Sequence, residues 1–78
     1  MLKMSLPVVG EYVRMEYLLI DEIEATCWLC DYHVLSYIDN YDMKLKLCDI
    51  GKKDNAFIHS IDPDTGRIDL KFRIQKLY

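Results

Sequence analysis

The stretch Ile61-Asp62-Pro63-Asp64-Thr65-Gly66-Arg67-Ile68-Asp69-Leu70-Lys71-Phe72-Arg73 decides how this chain folds. Its first half is a turn. Proline pre-sets φ for the first turn position, and Gly66 can take the positive φ that closes the loop. Beyond the turn, Ile68, Leu70 and Phe72 alternate with Asp69, Lys71 and Arg73, the period-two pattern of a strand with one apolar and one charged face. The segment therefore reads as a β-hairpin whose apolar side the remaining chain must cover.

Working outward, Asp54 to Ile61 supplies the strand before the turn, with Ala56 and Ile58 facing opposite Phe57 and His59. Near the N-terminus, Leu6-Pro7-Val8-Val9-Gly10 is an extended lead-in punctuated by glycine. Glu11 to Ile20 is rich in β-formers, with Val13, Met15 and Tyr17 on one face and Arg14 and Glu16 on the other. After the polar break Asp21-Glu22, Ile23 to Tyr32 reads as a second strand. Its small and aliphatic set, Ile23, Ala25, Cys27 and Leu29, suits a core and leaves Trp28 partly exposed. His33 to Ile38 is a short third strand. Asp39 to Asp49 is irregular: Asp39-Asn40 can cap one helical turn, and Met43, Leu45 and Leu47 can pack inward. Five short strands with an irregular or helical segment between the third and fourth predict an all-β fold, a Greek-key barrel of the OB type.

At 78 residues the chain is expected to form one domain, 51% hydrophobic and 29% charged. A net charge of −3 lacks the basic excess that nucleic-acid binders usually carry. No apolar run is long enough to cross a bilayer, and Met1 to Pro7 has no signal-peptide core. Three cysteines, an odd number without an export signal, agree with reduced thiols and a cytoplasmic setting. The expected state is a monomer.

Several segments occur together in one order: Leu6-Pro7-Val8-Val9-Gly10-Glu11-Tyr12-Val13, Leu29-Cys30-Asp31-Tyr32, Gly51-Lys52, and Ile61-Asp62-x-x-x-Gly66-x-Ile68-Asp69-Leu70-x-x-Arg73. In this order the chain resembles the S1-type OB domain that opens the alpha subunit of translation initiation factor 2. As a free-standing copy it also resembles the short poxviral pseudosubstrate inhibitors of the antiviral double-stranded-RNA-activated kinase, which imitate that factor and occupy the kinase's substrate-docking surface. Ser5-Leu6-Pro7-x-x-Gly10 and Leu29-x-Asp31-Tyr32 match the poxviral form. The resemblance implies a kinase-docking set of Thr65, Gly66, Arg67, Ile68 and Asp69, with Asp39, Tyr41, Asp42 and Lys44 toward the kinase's catalytic cleft. Where the family carries Lys-Gly-Tyr-Ile-Asp, this chain reads Thr65-Gly66-Arg67-Ile68-Asp69, so glycine, isoleucine and aspartate carry over while lysine and tyrosine do not. The segment from Asp39 to Ile50, which corresponds to the factor's phosphorylation loop, contains neither serine nor threonine.

Other chemistries are weaker. An RNA-binding S1 module stacks bases on aromatic side chains and neutralises phosphates with basic ones. Trp28, Phe57 and His59 are the candidate stacking groups, with no basic cluster around them. Cys27-Trp28-Leu29-Cys30-x-x-His33 suggests zinc, but within a strand Cys27 and Cys30 point to opposite faces, so thiols packed in or near the core are the better reading and no metal or cofactor is expected. Asp21, Glu22, Glu24, Asp31, Asp39 and Asp42 read as a solvated face. They have no nucleophile–base pair or phosphate-cradling glycine loop beside them, and no enzymatic activity is expected.

Overall fold

A computed structural model of the chain describes residues 6–39 and 49–72. The expected connection between the third and fourth strands, with Tyr41, Asp42 and Lys44, lies outside the described residues, as do Cys48 and Arg73. The described residues form five strands: β1 (Tyr12–Ile20), β2 (Glu24–Leu29), β3 (Val34–Asp39), β4 (Lys53–Ile61) and β5 (Ile68–Lys71). They close into a barrel in the order β1-β2-β3-β5-β4. All neighbours are antiparallel except β3 and β5, whose parallel pairing (Tyr37↔Asp69, Ile38↔Leu70) shuts the barrel. This is the five-stranded OB architecture that the strand pattern predicts.

The alternation read from the sequence is the one that fills the interior. Val13, Met15 and Tyr17 of β1, Ala25, Cys27 and Leu29 of β2, Ala56 and Ile58 of β4, and Ile68 and Leu70 of β5 are all buried, joined by Ile38 of β3. Burying these side chains is the main stabilising term for a barrel this small, at about 1.5–3 kcal/mol for a full-sized aliphatic or aromatic residue. Two polar groups within the barrel are satisfied. The Tyr17 hydroxyl donates to Asp54 Oδ2 at 3.2 Å, and Ser36 Oγ donates to the Cys27 carbonyl at 3.4 Å. Both bonds offset the desolvation that burial of a hydroxyl would otherwise cost.

The structure corrects the sequence reading of β2 at both ends. Ile23 was expected on the core face but is 75% exposed. The carboxylate of Asp21 accepts the amides of Ile23 and Glu24, both at 2.8 Å, and this Asx-type turn holds Ile23 outside the sheet before β2 begins. At the other end, β2 stops at Leu29. The amides of Tyr32 and His33 turn back onto the Leu29 carbonyl, and His33 adopts a left-handed φ of 56°. The Tyr32 hydroxyl then donates to the Glu11 carboxylate at 2.6 Å, tying this turn to the lead-in.

Two bulges were not visible in the sequence. One interrupts the β1–β2 register between Tyr17 and Leu19, the other the β4–β5 register between Ile58 and Ser60. Each adds local twist to a strand that must bend around a small barrel.

Candidate partner-binding surface

The hairpin leading into β5 is built by its own polar groups. Asp62 Oδ1 accepts the amides of Asp64 at 2.8 Å and Thr65 at 3.4 Å. The Gly66 amide returns to the Asp62 carbonyl at 2.8 Å, and the Asp62 amide donates to the Arg67 carbonyl at 2.9 Å. Gly66 has φ +76 with open space where a Cβ would stand, so glycine serves the backbone conformation rather than a close approach. The two backbone amides hold the Asp62 carboxyl below its ordinary value.

Arg67, one of the two positions where the chain departs from Lys-Gly-Tyr-Ile-Asp, is the hub of this edge. Its Nη2 donates to Glu24 Oε1 on β2 at 2.6 Å, and its Nε donates to Asp69 Oδ1 on β5 at 3.1 Å. The guanidinium lies over the Tyr37 ring of β3, 4.1 Å from its centroid. Asp69 also accepts the Ser60 hydroxyl of β4 at 3.4 Å. One side chain thus links β2, β3 and β5, and through Asp69 reaches β4. The bond to Glu24 above all, with Asp69 adding to it, raises the Arg67 pKa further above its already high value, so the hub is a permanent cation.

The expected docking residues therefore divide. Thr65, Gly66 and Arg67 are exposed, and Asp69 is half-buried beside them. Ile68 is 4% exposed, so its side chain seats the strand from within the core instead of lying on the surface. Asp39 is exposed at the end of β3, directly opposite Glu24.

The expected stacking residues do not converge either. Trp28 lies on β2 opposite Leu35 of β3 and Glu16 of β1, with the His33 ring at 5.7 Å. Phe57 is on β4, packed on Tyr12 with ring centroids 4.6 Å apart, and His59 is exposed within the β4 bulge. Strand β1 separates the Trp28 site from the Phe57 site. Tyr37, which shares the β2–β3 face with Trp28, was not singled out from the sequence. Its place on the outer face follows from Ser36 and Ile38 facing inward. Cys27 is buried in the core and Cys30 lies in the turn after β2. Among the described residues, no three His, Cys, Asp or Glu side chains converge as metal ligands.

No protein-family model matches the chain, and no curated protein does. Solved structures do. A chain of the complex of the initiation factor 2 alpha subunit (a/eIF2alpha), aDim2p and rRNA from Pyrococcus horikoshii OT3 superposes with a TM-score of 0.79 at 23% identity, covering 88% of this chain and 46% of that one. The intact alpha subunit of the archaeal factor from Pyrococcus abyssi gives 0.76 at 23% identity, covering 85% and 28%. An uncharacterised protein from Methanocaldococcus jannaschii gives 0.77 at 16% identity, covering 92% and 100%. This chain thus spans less than half of each initiation-factor structure. The class defined by strand order, closure and these likenesses is an S1-like OB barrel. At such identities the likeness is one of fold.

Proposed function

We propose that this protein imitates the S1 domain of the initiation factor 2 alpha subunit and occupies the substrate-docking surface of a kinase acting on that factor. The antiviral double-stranded-RNA-activated kinase is the particular target, and sustained translation in the host-cell cytoplasm is the consequence. The observation that carries the reading is the edge formed by Thr65, Gly66, Arg67 and Asp69, held in place by its own hydrogen bonds and by the Arg67 fork. A surface already fixed before contact loses little conformational entropy on binding, which favours competitive occupation by a small barrel. The absence of serine and threonine from Asp39 to Ile50 leaves the kinase nothing of its preferred chemistry to modify there. Binding is then inhibitory, and the chain acts without catalysis of its own.

A second reading, an RNA-binding S1 module, draws support from the Trp28–His33 ring pair and from the rRNA named with the P. horikoshii complex. It is the weaker one because Glu24, Asp39 and Asp69 share that side of the barrel with Arg67, which two of them already engage.

The test is phosphorylation of the factor's alpha subunit by the purified double-stranded-RNA-activated kinase with increasing amounts of this protein. Inhibition should be relieved by raising the concentration of the factor. Unchanged phosphorylation at excess protein contradicts the proposal for that kinase, and a salt-dependent complex with single-stranded RNA would favour the second reading.

A further inference from the structure

The outer face of β2 and β3 carries a second feature, built on Leu19, Trp28 and Leu35, which are outside the expected kinase-docking set, and on Asp39, which is shared with it. Register places Leu19 opposite Thr26, and Thr26 opposite Tyr37, in one row across the barrel, while Trp28 and Leu35 stand opposite each other in the next. Leu19 is 55% exposed and Leu35 46% exposed, so apolar surface faces solvent in the middle of the sheet. Beside it, Glu24 and Asp39 stand directly across from one another. Like charges at such a position repel. Arg67 engages Glu24 and Asp69, and no described side chain forms an ion pair with Asp39.

From this juxtaposition we infer that the β2–β3 face is a docking surface for a protein segment that combines apolar side chains with lysine or arginine. The apolar side chains would lie on Trp28 and Leu35, with a cation against Asp39. Charge complementarity selects this occupant over the others. A second copy of the chain would bring carboxylates against carboxylates, and a single-stranded nucleic acid would bring phosphates against them. A basic segment relieves the Glu24–Asp39 repulsion and covers the apolar rows in one step. The surface adjoins the Thr65–Asp69 edge, whose Arg67 reaches Glu24 and Tyr37. Leu19, Trp28 and Leu35 belong neither to that edge nor to the expected kinase-docking set, so this inference does not rest on the kinase reading.

Trp28 is the sole tryptophan of the chain, and its fluorescence therefore reports on this face alone. The test is titration of the whole protein with a peptide of alternating lysine and leucine, about ten residues long so that it can lie along one strand. A saturable blue shift that weakens with added salt is expected. Leu35→Thr and Asp39→Lys should each weaken binding by about fivefold or more, as expected for anchors at the centre of a contact. Asp49→Lys, which makes the same change of net charge at an exposed site outside β2 and β3, should leave binding within about twofold, the range of a neutral peripheral contact. The inference is overturned by the absence of a saturable shift, by equal weakening from Asp49→Lys and Asp39→Lys, or by tighter binding of an oligouridylate to the same residues. Leu35→Thr should leave kinase inhibition intact, so failure here and failure of the kinase reading are told apart.

Discussion

Two parts of the barrel surface handle charge in opposite ways. At the β5 edge each prominent polar group has a partner within the chain: Asp62 holds the turn amides, and Arg67 holds Glu24, Asp69 and the Tyr37 ring. On the neighbouring β2–β3 face, Leu35 stands in solvent and Asp39 faces another carboxylate. The first region is a finished shape whose geometry exists before any partner arrives. The second is left incomplete, with both apolar area and charge available to a partner. A rigid edge suits recognition by shape, while an open face suits a ligand that supplies what is missing.

The most severe way to break this contrast is to remove the support that both regions share. Leu70 lies beneath them, paired with Ile38 across the parallel closure and with Ile58 on β4. Leu70→Ala should lower stability by about 2–5 kcal/mol, the usual loss for a buried leucine. In a chain of this size a drop in Tm of about 4–8 °C per kcal/mol should follow in thermal unfolding. Gly66→Ala acts on the edge alone. The space at Gly66 is open, so the loss is backbone strain of about 1–2 kcal/mol, and Gly66→Asn should lose less because asparagine tolerates this conformation.

Arg67→Ala removes the hub. Exposed ion pairs contribute about 0.2–1 kcal/mol each and an exposed cation–π contact about 0.5–1 kcal/mol, so a destabilisation near 1 kcal/mol in urea unfolding is expected. The part due to the ion pairs should shrink at high salt. The smallest effect concerns acid. The Asp62 carboxyl is held below its ordinary value by backbone amides, and Asp21 likewise by the amides of Glu24 and Ile23. A depressed carboxyl contributes stability that is present above its unfolded pKa and is lost as pH falls through the folded value. Stability measured from pH 5 downward should therefore fall less steeply in Asp62→Asn than in the native chain.

Much of the barrel was written in local patterns. Alternation placed Val13, Met15, Tyr17, Ala25, Cys27, Leu29, Ile68 and Leu70 correctly because each strand has one buried face and period two is a local property. In β4 it separated Ala56 and Ile58 from Phe57 and His59 without saying which pair faces inward. Proline and glycine marked the hairpin for the same reason. What escaped was long-range or depended on closure. Nothing near Arg67 in sequence points to Glu24, its partner 43 residues away. The bulges at Leu18 and His59 answer the curvature of the closed barrel, which no single strand encodes. Ile23 was read as core because its spacing fits, yet a carboxylate two residues earlier captures the turn first. Trp28 and Phe57 were grouped by chemistry, and only the strand order shows β1 between them.

The most direct measurement is the amide NMR spectrum of the labelled protein titrated with the kinase domain, read separately at the two regions. The account predicts that the resonances of Thr65, Gly66, Arg67 and Asp69 move or broaden saturably, while those of Trp28, Leu35 and Ser36 hold their positions. Perturbation confined to β2 and β3, or no perturbation at kinase excess, would contradict it.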